Sequence, residues 1–145
     1  MPFHSGEHHE QFRIYYEDTD AGGIVYHANY LKFAERARTD ALRELGIHQR
    51  ELRERLGVFF VLRHADITYL VPVQLDDLIT VKSEIMQVGN TSLKMKQTLW
   101  REDVELCQML VHIVCINNDK KPVRIPAEVL EPLKNHMMKE KEPNG

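Results

Sequence analysis

The spacing of apolar positions along the chain changes character twice. Phe12, Ile14 and Tyr16 alternate with Gln11, Arg13 and Tyr15, which predicts a strand with one apolar face. Residues 1–9 ahead of it read as a loose polar lead-in. From about Ala28 to Leu45 the period is helical. Leu31, Ala34, Ala37, Ala41 and Leu45 form one stripe, and Lys32, Glu35, Arg36, Thr39, Asp40 and Arg43 cover the other side. Three alanines in the stripe predict close approach to whatever the helix packs on, and Gly46 is placed to end it in a left-handed cap. His48 to Leu56 reads as a turn or two of helix with a solvated face.

After Gly57 the pattern becomes that of strands. Val58–Leu70, Leu78–Val88, Thr91–Arg101 and Val104–Ile116 are long segments rich in β-branched and aromatic residues. Their separators are turn-like: Pro72 with Asp76-Asp77, Gly89-Asn90, and Glu102-Asp103. Links this short predict antiparallel neighbours, because a parallel crossover needs a dozen residues or more. Pro126, Leu130, Leu133 and Met137 predict a short amphipathic helix, and 139–145 a polar tail. The order gives an α+β fold, a five-stranded antiparallel sheet wrapped around one long central helix, as a single domain over residues 1–145. Val104–Ile116 is apolar on both faces: Leu106, Leu110, Val114 and Ile116 on one, Cys107, Met109, Val111, Ile113 and Cys115 on the other. The second face predicts cover by another copy of the chain, hence a homo-oligomer.

Composition narrows the class. At 145 residues the chain suits one domain with a substantial core. Its 19 Lys+Arg against 22 Asp+Glu give a net charge of −3, so no basic field invites nucleic acid. No apolar run reaches the ~18 residues a membrane span needs, and the N-terminus has no apolar signal-peptide core. Cys107 and Cys115 fall in one strand roughly 26 Å apart, too far to pair there. A reducing, cytoplasmic setting is the simplest reading.

Chemistry concentrates between Tyr15 and Tyr30, where three carboxylates, two adjacent glycines and His27 lead into the long helix. A helix start offers unpaired N–H groups and partial positive charge, and glycines let a ligand approach the backbone. A carboxylate beside such a site, Asp20 above all, is placed to attack an electrophilic carbonyl or to activate water against it. The competing reading is that Asp20 only caps a turn. Asp18, Asp20 and Gly23 resemble a calcium loop, but Gly22 replaces one ligand and Asn29 the bidentate glutamate, so no calcium is expected. No second ligand at suitable spacing makes His27 a zinc ligand. Glu35 lies on the polar stripe and reads as a solvated or interface charge, and the cysteines read as core. Thr91, Ser92, Lys94 and Lys96 follow the Gly89-Asn90 turn and could line a path for a phosphorylated ligand, although an exposed strand face accounts for the lysines as well. Phe59, Phe60 and Leu62 could floor an apolar pocket, or simply pack.

The run Tyr16-Glu17-Asp18-Thr19-Asp20-Ala21-Gly22-Gly23-Ile24-Val25-Tyr26-His27-Ala28-Asn29-Tyr30, followed by Phe33, Glu35, Arg36 and Arg38, resembles the signature of the 4-hydroxybenzoyl-CoA thioesterase branch of the hotdog fold. More narrowly, it is similar to the YbgC-type acyl-CoA thioesterases associated with the bacterial Tol-Pal system. Weaker matches continue through Gly57-Val58, Tyr69, Pro72, Asp76-Asp77 and Gly89 to Leu93. The resemblance implies a hotdog homodimer, often paired into a tetramer, that hydrolyses acyl-CoA thioesters at sites between subunits without a cofactor. It implies Asp20 as the catalytic carboxylate and His27 at the position whose backbone N–H polarises the thioester. Gly22, Gly23, Ile24, Val25 and Tyr26 would shape that oxyanion loop, and Tyr16, Phe60, Thr91, Ser92 and Lys94 would contact substrate. Two other readings stay open: a hotdog dehydratase acting on acyl carrier protein substrates, and a non-catalytic or weakly catalytic partner that holds acyl carriers.

Overall fold

In the computed structural model, which describes residues 3, 4 and 6–137, the long helix α1 runs from His27 to Glu44. It ends as its sequence predicts. Gly46 adopts φ +83°, its N–H reaches the Arg43 carbonyl, and the N–H of Ile47 reaches that of Leu42. Tyr30, Phe33, Ala34, Ala37, Ala41 and Leu42 form its buried face, and the alanines let the sheet come close. Arg38 is buried in the same face, which the apolar stripe did not foretell.

Around α1 curls one antiparallel sheet of β1 (Phe3–His4), β2 (Glu7–Arg13), β3 (Val58–Tyr69), β4 (Leu78–Val88), β5 (Ser92–Arg101) and β6 (Val104–Asn117), in the order β1-β2-β4-β5-β6-β3. The five long strands are those expected, and β1 adds a two-residue hairpin partner to β2. In register, Phe12 faces Ile79, Ser83 faces Gln97, Met95 faces Val111 and Phe60 faces Cys115. A bulge between Leu62 and His64 bends β3, which among the described residues pairs with β6 alone and leaves its other edge open. The helices α2 (Gln49–Leu56) and α3 (Ala127–Asn135) close the ends. Ile125, Val129 and Leu133 join the core. Cys107 and Cys115 are free thiols sealed in that core, and burial pushes them up to about 12 and about 11.

Two expectations need correction. The first strand lies earlier than its alternation suggested: residues 7–9 belong to β2 and not to a loose lead-in. Tyr15 and Tyr16 leave the sheet as the chain enters a 3-10 turn at Tyr16–Asp18. The signal was masked because the inward positions of β2 include His8 and Glu10, polar residues that burial does not mark in sequence. The outer face of β6 is also covered more fully by its own chain than its apolar pattern suggested. Leu106, Val114 and Ile116 are buried within the one chain, Ile116 bridging Pro122 where the chain folds back, and only Leu110 stays 54% exposed. The polar tail 139–145 falls outside the described residues.

Candidate active site

The loop between β2 and α1 is pinned from both sides. Asp18 is buried, its Oδ2 accepting the Tyr15 N–H at 2.9 Å and its carbonyl accepting the Asn29 side-chain amide at 2.8 Å. Asn29 lies in the first turn of α1, so this bond ties the loop to the helix start. On the other flank, the Val25 N–H donates to Val73 at 2.8 Å and the Leu75 N–H to Gly23 at 3.1 Å, which docks the loop on the segment between β3 and β4. Asp77 steadies that segment in turn, accepting from Gln74 N–H and from Arg101, both at 2.8 Å.

Between these anchors Asp20 projects from a tight turn. Its Oδ1 accepts the Gly22 N–H at 2.8 Å, and its carbonyl accepts the Gly23 N–H at 3.0 Å. The turn requires glycine at position 23, which sits at φ +75°, and a Cβ on Gly22 would crowd Asp20 Oδ1 at 3.3 Å. The turn-capping bond foreseen as the plain alternative therefore exists. It occupies one oxygen and orients the carboxylate, leaving Oδ2 without a hydrogen-bond partner among the described residues.

His27 is the first residue of α1. Its N–H and that of Ala28 have no acceptor among the described residues, as helix starts dictate. The imidazole packs on Tyr69 with ring centroids 4.5 Å apart, and Tyr69 on Tyr30 at 5.0 Å. The Tyr69 hydroxyl donates to the His27 carbonyl at 3.4 Å, and the Tyr30 hydroxyl accepts the Val73 N–H at 3.2 Å. Burial raises both phenols, so they stay protonated. A cavity of about 550 Å³ opens here, walled by Asp20, Ile24, His27, Tyr30, Tyr69 and Pro72. It unites an oriented carboxylate with a helix start, a combination suited to adding an oxygen nucleophile to a carbonyl.

Of the residues picked from sequence, Asp20, Ile24, Val25, Tyr26 and His27 line this cavity, and Gly22 and Gly23 shape its loop. Tyr16 does not: it stands 81% exposed on the 3-10 turn, clear of the cavity. Phe60 is buried at the far end of α1 and lines a separate cavity. Ser92 begins β5, with Thr91 just before it, at the opposite end of the sheet from Asp77 and Arg101, roughly 30 Å along the strand. Lys94 lines a third cavity, on the outer face with His64 and His112. None of these four reaches Asp20 within one chain, because strand register, invisible in local sequence, fixes which end each side chain occupies. Tyr30, which reads in sequence as core or pocket wall, is one of the walls, whereas Tyr69 and Val71 are walls that the sequence did not single out. The Tyr69–Pro72 spacing was the one available signal for the last two.

A family model described as thioesterase superfamily matches residues 22–108. The acyl-CoA thioesterase YbgC of Haemophilus influenzae is 45% identical over 118 residues, covering 81% of this chain and 87% of that protein. The acyl-CoA thioester hydrolase YbgC of Escherichia coli O6:H1 is 40% identical over 124 residues, 84% of this chain and 92% of that one. Among solved structures, a probable thioesterase from Bartonella henselae matches with TM-score 0.80 and 37% identity, over 83% of this chain and 99% of that one. These matches give no support to a non-catalytic carrier-binding role.

Proposed function

The chain belongs to the thioesterase superfamily and is an acyl-CoA thioesterase; we propose that the Asp20 carboxylate and the opening turn of α1 perform the hydrolysis. The thioester carbonyl oxygen sits against the His27 and Ala28 N–H groups, where the helix start favours negative charge. Asp20 Oδ2 then attacks the carbonyl carbon, or takes a proton from a water whose oxygen attacks it. Either route passes through a tetrahedral oxyanion. Its collapse breaks the C–S bond, and the departing thiolate takes up a proton as free coenzyme A; on the direct route the Asp20–acyl anhydride left behind is then hydrolysed by water, which releases the free acid and restores the carboxylate. One observation carries this reading: the carboxylate, held by Gly22, and the helix start line the same cavity.

The test is Asp20→Asn, with folding checked by melting and circular dichroism. We expect kcat/KM for acyl-CoA to fall at least ~10²-fold, the low end for acid–base participation. Full activity in the folded variant, with an equivalent loss in Glu35→Gln, would transfer the role to the helix.

The assembly belongs to the same proposal. The open edge of β3 carries exposed Leu62, Tyr69 and Leu70. Two-fold antiparallel pairing of two such edges covers them and sets the beginning of one β3 alongside the end of the other, next to Tyr69 and the site. The two buried, unpaired thiols fit a reducing, cytoplasmic compartment.

A further inference from the structure

A second cavity, about 460 Å³, lies between α1 and the beginning of β3, and Ala28, Lys32, Glu35, Arg38, Phe60 and Leu62 line it. It shares no lining residue with the Asp20 cavity, but the two come to neighbouring positions in the first turn of α1, where His27 lines one and Ala28 the other. From Ala28 to Arg38 the groove follows α1 for about 15 Å. Its lining is mixed: Ala28, Leu31 and Leu62 are apolar, and Lys32 and Glu35 carry charge. Its far end is polar in an unusual way.

Arg38 is only 9% exposed, yet a single hydrogen bond to a protein acceptor is made by its guanidinium among the described residues: Nη1 donates to Gln97 Oε1 at 3.1 Å. Gln97 is fixed behind it, donating to the Ala34 carbonyl at 2.8 Å and to Ser83 Oγ at 2.9 Å. The guanidinium therefore rests on a rigid neutral support, with most of its five donors unused by protein. Burial works against its charge, and the exposed Glu35 is the one nearby group that favours it, without an ion pair to Arg38 within 4 Å among the described residues. Lys32, nearly two turns nearer the site, adds a second cation. Gln49 closes the rim, its side chain accepting the Phe60 N–H at 2.9 Å.

A desolvated, under-compensated arginine at the end of such a groove is a receptor for a planar anion, which a carboxylate meets with two parallel hydrogen bonds. We infer that this groove takes the acyl chain of the substrate and that Arg38 binds a carboxylate at its distal end, so the favoured substrates are ω-carboxyacyl-CoA thioesters. The inference rests on the acyl-CoA reading above and adds the class of acyl group.

The experiment compares kcat/KM for ω-carboxyacyl-CoA and methyl-terminated acyl-CoA over a matched series of chain lengths. At the length that spans the groove, the carboxylate should be preferred about 10- to 100-fold, the scale of a hydrogen bond to a charged group, carried mainly in KM. Arg38→Gln and the more conservative Arg38→Lys should both shrink that ratio, the first towards unity. Equal or better hydrolysis of the methyl-terminated thioester at every length by wild-type enzyme overturns the inference while the thioesterase reading stands. So does an Arg38→Gln variant that loses activity on both substrates in equal proportion, which marks a purely structural arginine. Folded wild-type protein that releases thiol from neither series defeats both.

Discussion

Glu10 lies on β2 with its carboxyl beside that of Asp40 on α1 and with Oε2 sealed from solvent. Burial first, and the neighbouring carboxyl second, push it up to about 7. Two carboxyl groups in one hydrogen bond need a proton between them, and the folded chain keeps that proton to a higher pH than the unfolded one. As pH rises from about 4.5 towards 7 the unfolded chain releases it first. Stability therefore falls across that window and stays lower above it. His8 alongside is sealed as well, and burial disfavours its charged form, so it acts in the opposite sense below about 6.5. The informative quantity is the difference between wild type and Glu10→Gln. The variant should gain Tm relative to wild type between pH 5 and pH 8, and parallel curves of Tm against pH would refute the shared proton.

At the scale of elements, α1 is set in depth by Gln97, which bridges the Ala34 carbonyl, Ser83 on β4 and Arg38. Replacing it by leucine leaves a buried hydroxyl and a buried cation without partners. We expect Gln97→Leu to cost about 2–4 kcal/mol, read as a lower urea midpoint at unchanged m-value. An unchanged midpoint would mean that α1 is held by its apolar face alone. These elements also show what could be read in advance. The β4 bounds, the helix stop at Gly46 and the loop carrying Asp20 each depend on neighbours close in sequence, and each lies where spacing placed it. The earlier start of β2, the buried Arg38 and the wall Tyr69 depend on what crosses them in space. His8 reads as lead-in, and Glu10 next to it goes unmarked, because only the register against β4, His8 on Ser83 and Glu10 on Val81, turns them inward.

For the whole molecule the open question of the sequence was which surface meets a second copy. Folding within one chain covers most of the outer face of β6, so that argument for pairing weakens, and the bare edge of β3 takes its place. Thr91 and Ser92 stand at the far end of the sheet from their own Asp20, so any contribution they make to catalysis comes across the pair. Co-refolding Asp20→Asn with a Thr91→Ala/Ser92→Ala double variant should then restore part of the activity, since some mixed dimers hold one intact site. A monodisperse, fully active monomer by light scattering at assay concentration would end the dimer proposal.

The two sealed thiols offer a clock. Cys107 pairs with Tyr69 of β3 and with Leu99 of β5, and Cys115 with Phe60, so both lie on ladders that flank the open edge. A thiol reagent attacks only thiolate, and each sulfur here is both shielded and held protonated at neutral pH. Alkylation must wait for β3 to peel from β6. Its rate at saturating reagent then times that opening directly, and a slower clock at higher protein concentration would register the edge being occupied.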